Sequence, residues 1–215
     1  MRNMSGATGV LVLTAFSAGL VDVLSFAKLG GIFTSAMTGN LALLGFYAAT
    51  GAVHSAIKSL SALVGFVVGC AVGMMLSRRT TERSAVRRIL GVEIAIIAVC
   101  AVGSMQSFLS ARGDFIQAEI PLLAFAMGLQ SIIGMRLRHA TVVFTTTLIK
   151  IVSAAIGSTG EEGSAGDRKR DTAVVLAYLI GALSAGVTIA AHFSAALIIP
   201  VVAIAIACLY ARRIE

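Results

Sequence analysis

The sequence predicts an all-α integral membrane protein of six transmembrane helices plus two shorter re-entrant or broken segments, and three observations carry that reading. Hydrophobic residues make up 58% of the chain and charged residues 13%, with a mean hydropathy of +0.95, far from the composition of a water-soluble domain. The apolar residues gather into runs close to the roughly 20 residues that a helix needs to cross a hydrocarbon core about 30 Å thick. The basic residues gather between particular runs instead of being spread evenly.

In chain order the spanning runs are Val10–Phe26, Ala56–Leu76, Ile89–Phe108, Ile116–Met135, Thr172–Ala190 and Phe193–Tyr210. The first is long enough to span and has no suitably placed A-x-A-like cleavage site, so it is expected to stay attached as the first helix. Two further runs, Ile32–Ala49 and Val142–Ile156, are shorter and more polar. Each either crosses fully or enters and leaves by the same face. If both are re-entrant and both termini are cytoplasmic, all of the 17 basic residues except Lys28, Lys58 and Arg112 face the cytoplasm, the asymmetry that the positive-inside rule describes. Eight full crossings, as two four-helix halves, would divide the basic residues almost evenly. That arrangement remains the alternative. In lipid the net charge of +7 encodes orientation, so no nucleic-acid partner is expected.

The chain reads as one membrane domain, 1–215, with an internal repeat of 1–110 and 111–215. AFSAGL at Ala15–Leu20 returns as AFAMGL at Ala124–Leu129. A threonine-bearing segment follows in each half, TGNL with Thr38 and Leu41 and TTTL with Thr145 and Leu148. Beyond it, GFVVGCAVG (Gly65, Gly69, Gly73) corresponds loosely to YLIGALSAG (Gly181, Ala185). Three crossings per half make the second copy point the opposite way, an inverted repeat of the kind that places a transporter's substrate site between its halves. Gly65, Gly69 and Gly73, at four-residue intervals, form a smooth ridge for close helix packing, and Gly181 is expected to do the same.

The polar stretch FTSAMTGNLALLG, Phe33–Gly45, interrupts this apolar background. Unsatisfied backbone groups cost several kcal/mol each in hydrocarbon, so a break there must be surrounded by protein or water. Gly39 is the expected break point. Thr38, Asn40, Thr145 and Thr147 then offer neutral donors and acceptors to a path for a small polar or anionic solute. Asp22, inside the first helix, is expected to face the protein interior and the path. Its repeat counterpart is Ser131, beside Gln130. Lys150 is either a snorkelling interface residue or a cationic element of the path. Glu93, Glu119 and His139 lie near span ends and read as interfacial, and Gly157–Thr172 reads as a flexible linker.

No HExxH, GxSxG, P-loop, GxGxxG or metal-spaced Cys/His cluster occurs, so neither an enzyme nor a metal or cofactor protein is expected. Cys70, Cys100 and Cys208 all lie in apolar runs, as small buried or lipid-facing residues do.

The stretch GLVDVLSFAKLGGIFTSAMTGNLALLG, with an acidic residue in the first helix followed by F-x-x-x-M-T-G-N, resembles the YoaK family of bacterial membrane proteins. The later stretch GLQSIIGMRLRHATVVFTTTLIK is similar to that family too, although Thr145 and Thr146 stand where a Thr-Gly pair is expected. The resemblance covers nearly the whole chain and implies a polytopic protein of the bacterial inner (cytoplasmic) membrane, without implying a substrate. The leading expectation is a small-solute transporter or channel surrounded by the lipid bilayer, with homo-oligomerisation open. The alternative is a non-transporting scaffold or sensor acting through its cytoplasmic loops, Ser77–Arg88 and Gly157–Thr172.

Overall fold

A computed structural model describes residues 4–110, 114–137, 152, 165–192 and 195–214. Its helices are α1 (Met4–Lys28), α2 (Met37–Ala49), α3 (Val53–Ser77), α4 (Glu82–Ser110), α5 (Asp114–Arg136), α6 (Ala165–Ala190) and α7 (Ile198–Tyr210), followed by a 3-10 turn, Ala211–Arg213. Among the described residues there is no β-strand. Four segments are long and apolar enough to cross a membrane: Gly6–Lys28, Val53–Ser77, Gln117–Arg136 and Lys169–Ala190. The expected second re-entrant segment, Val142–Ile156, lies outside the described residues apart from Val152. Residues 165–172, expected in a linker, are instead the first turns of α6.

Contacts between helices fix their directions. Ser104 on α4 donates to Glu119 on α5 at 2.5 Å, and Gln130 further along α5 donates to the Thr14 carbonyl on α1. Ser25 and Lys28, at the end of α1, line one small cavity with Glu119, so α1 and α5 are antiparallel. Arg136 donates to the Ser77 carbonyl at 2.6 Å, joining the last turns of α3 and α5, which run parallel. Gly6, near the start of α1, touches Arg213. Thus α1, α3, α4, α5, α6 and α7 alternate in direction. One end of the bundle carries Ser77, Arg136 and Arg213, and the opposite end carries Lys28, Lys58 and Glu119.

Two glycine-lined contacts hold the bundle together. A Cβ built on Gly65 would lie 2.4 Å from the Pro121 carbonyl oxygen, one on Gly69 2.1 Å from that of Phe125, and one on Gly128 2.2 Å from that of Phe66. Gly73 meets the Ile132 side chain. In the other contact, Gly181 meets the Phe16 carbonyl and Gly19 that of Tyr178, at 2.0 and 2.1 Å from the built Cβ. At Gly65, Gly69, Gly128, Gly19 and Gly181 backbone meets backbone directly, a close approach that leaves no room for a side chain. The helices that receive them, α1 and α5, are central: 67% of each apolar window is enclosed, against 28% for α3 and 22% for α6. The outer helices expose Val64, Val67, Leu179 and Leu183, an apolar belt suited to lipid.

Helix α2 does not run the length of the bundle. Gly30 and Gly31, at φ +92° and +79°, end α1, and the Gly31 N–H donates to the Phe26 carbonyl in the 6→1 pattern of a Schellman cap. The chain then doubles back beside α1 as far as Asp22, where α2 begins. Its 13 residues make about 20 Å of helix, too short for a core about 30 Å thick. Gly51, at φ +73°, makes the next turn, and Lys58 of α3 brings its amine to 2.9 Å from a Cβ built on Gly30. The segment therefore comes out at the end where it went in.

Candidate solute site

The inward loop is held by one carboxylate. Asp22 has no exposed surface, and its Oδ1 accepts the Thr34 N–H (2.8 Å), the Thr34 hydroxyl (3.0 Å) and the Ser35 N–H (2.7 Å). Its Oδ2 accepts the Ser35 hydroxyl and, at 2.9 Å, the Tyr178 hydroxyl from α6. Loop N–H groups that have no helical partner thus find a charged acceptor, which is how irregular backbone survives away from water. Asn40, equally buried, completes the fold of the loop: its Oδ1 accepts the Phe33 N–H at 3.0 Å and its Nδ2 donates to the Phe33 carbonyl at 2.6 Å. Phe33 in turn stacks on Phe26, ring centroids 4.9 Å apart.

These contacts revise the expected roles. Asp22 does face the interior, but all five of its contacts are to the chain itself, and Asn40 is likewise occupied. Gly39 is not the break. It sits in the first turn of α2 under the Phe33 ring, and the irregular backbone is Leu29–Ala36, where consecutive positive-φ glycines end α1. Thr38 is exposed and does not join the group. Thr145, Thr147 and Lys150 lie outside the described residues.

Deeper in the bundle lies a second set of polar groups. Gln130 has no exposed surface; its Nε2 donates to the Thr14 carbonyl at 3.0 Å, while its Oε1 has no partner among the described residues. Ser17, about one turn along α1 from Thr14, has an equally buried hydroxyl with no partner among the described residues, and the same holds for both carboxylate oxygens of Glu93 on α4. Their depths agree. From the Ser104–Glu119 contact, Glu93 is about 16 Å back along α4 and Gln130 about 16 Å on along antiparallel α5, at 1.5 Å per residue. A layer of polar groups from three helices, at similar depth, therefore lies within the bundle. It presents mostly acceptors.

Near the Lys28 end a cavity of about 50 Å³ is lined by Ser25, Lys28, Ser104 and Glu119 with four apolar neighbours and Leu29. Glu119 is 5% exposed and the Ser25 hydroxyl has no partner among the described residues. Both glutamates are thus buried rather than interfacial. The sequence offers a signal for Glu93, a carboxylate inside an apolar run, but hydropathy starts that run at Ile89 whereas α4 starts at Glu82. Nothing local could single out Tyr178 or Ser17, whose roles come from contacts with distant segments.

The family profile DUF1275, described as protein of unknown function, matches residues 10–210. The chain belongs to that family. The UPF0700 transmembrane protein YoaK of Bacillus subtilis (strain 168) is 30% identical over 186 residues, covering 81% of this chain and 80% of the relative. No solved structure matches the chain. The described helices and this transmembrane relative agree that this member of the DUF1275 family is an all-α membrane protein, as the resemblance carried by MTGN implies.

Proposed function

We propose that this DUF1275 protein is a transporter or channel for a small polar solute in the bacterial cytoplasmic membrane, not an enzyme, with both termini cytoplasmic. The observation that carries the proposal is the layer of Ser17, Glu93 and Gln130. Polar atoms left without partners in a membrane bundle are costly, and ionisable residues there are functional candidates by default. Because Glu93 and the Gln130 carbonyl are acceptors, the fitting solute carries N–H or O–H donors, and the anionic class expected from sequence is the weaker choice. Ser17, Glu93 and Gln130 have no exposed surface, so passage would require the bundle to open on each side in turn.

On this reading the crossings form two inverted repeats. Support for this comes from the matched glycine contacts: Gly128 on Phe66 and Gly69 on Phe125 in one pair, Gly19 on Tyr178 and Gly181 on Phe16 in the other. Gly19 and Phe16 occupy the same places in AFSAGL as Gly128 and Phe125 in AFAMGL. On this reading the arginine-bearing end faces the cytoplasm.

The test is solute flux into vesicles containing the purified protein, with a panel of small polyols, amides and amines. Glu93→Gln and Gln130→Leu should each reduce flux at least tenfold while the protein remains folded. If no solute moves faster than in protein-free vesicles, the transport reading falls and the scaffold or sensor reading replaces it.

A further inference from the structure

The face of α4 below the arginine-rich loop carries two cavities that share residues. One, of about 390 Å³, is lined by Thr81, Arg83, Ser84, Arg87, Arg88 and Cys208. The other, of about 600 Å³, is lined by the same Arg87 and Arg88 and otherwise by apolar or small residues, from Leu76 through Gly91, Ala95 and Val99 to Leu122. Arg88, Gly91, Ala95 and Val99 recur at three- and four-residue spacing, one stripe of helix about 16 Å long. The small residues make its floor: a Cβ built on Gly91 meets nothing within 4 Å. Arg83, Arg87 and Arg88 are exposed. A strip of apolar surface thus runs along the bundle and ends at three guanidinium groups and two hydroxyls.

We infer that this groove is a binding site for an anionic phospholipid, its phosphate held by Arg83, Arg87 and Arg88 and one acyl chain laid along Gly91, Ala95 and Val99. Guanidinium groups match phosphate oxygens in a forked geometry, and basic pockets between helices suit acidic headgroups in the cytoplasmic leaflet. Neither cavity alone specifies a lipid. Their union does, because a free anion has no use for the apolar strip and an uncharged lipid has none for the arginines. The inference is independent of whether the protein moves a solute.

The experiment is native mass spectrometry of the intact protein from detergent, titrated with phosphatidylglycerol, with phosphatidylcholine of the same acyl chains, and with inorganic phosphate. Phosphatidylglycerol should be retained preferentially. Arg87→Gln with Arg88→Gln should weaken its retention on the order of thirtyfold and that of phosphatidylcholine, whose phosphate is balanced by its own choline, far less. Gly91→Leu fills the groove without meeting protein, so it should lower retention with an unaltered unfolding temperature; Arg87→Lys with Arg88→Lys should keep most of the preference. Equal retention of the two lipids, or a preference that survives the double glutamine variant, would overturn the inference. So would phosphate competing fully while Gly91→Leu has no effect, since that would mark a site for the free ion.

Discussion

Replacing Asp22 separates a structural anchor from a solute-contacting group. In Asp22→Asn the shape remains and one oxygen can still accept the Thr34 and Ser35 N–H groups, while the Ser35 and Tyr178 hydroxyls must rotate to accept from the new amide. A bond to a charged acceptor contributes about 1.5–3 kcal/mol and a neutral one about 0.5–1.5, a difference of roughly 1 kcal/mol for each donor. Because bonds sharing one carboxylate do not add fully, the sum is about 2–4 kcal/mol, or a Tm lowered by roughly 5–15 °C. Asp22→Leu strands the two N–H groups as well and should be worse. Tyr178→Phe removes the charge-assisted bond to Asp22, worth about 1.5–3 kcal/mol. Thermal unfolding in detergent, followed by tryptophan-independent light scattering or circular dichroism, ranks the three. The anchor is refuted if Asp22→Asn unfolds at the wild-type temperature while abolishing flux, for then the carboxylate serves the solute and not the loop.

Other perturbations probe the remaining geometry. Asn40→Leu leaves the Phe33 N–H and carbonyl without partners, about 2–4 kcal/mol for the pair, and hydrogen exchange should rise at Phe33–Ser35 before the rest of the bundle loosens. Gly69→Leu and Gly181→Leu each drive a side chain into a carbonyl, so both should lower the yield of folded protein by more than the usual 1–3 kcal/mol of overpacking; Gly45→Leu, where a built Cβ meets nothing within 4 Å, is the control. A cysteine at Thr38 should react with a membrane-impermeant thiol reagent at least tenfold faster than one at Ser35, which is only 4% exposed; similar rates would mean that the loop is open.

Much of this was written locally in the chain. Composition fixed the lipid solvent, the length of the apolar runs fixed where helices form, and the placement of arginines fits the alternation of α1, α3, α4, α5, α6 and α7. Gly65, Gly69 and Gly73 were legible because a four-residue spacing puts them on one helix face whatever they meet. The first polar stretch was legible as a short, interrupted segment, and α2 has only 13 residues. Where the break falls was not: Gly30 and Gly31 turn the chain, and Gly39 merely makes room for Phe33. Sequence alone could not decide whether Asp22 meets a solute or a loop, because that depends on Thr34, Ser35 and Tyr178 arriving from elsewhere. The depth of Glu93 was hidden for the same reason: hydropathy gives the length of an apolar run, whereas burial is set by which neighbouring helices close around each residue.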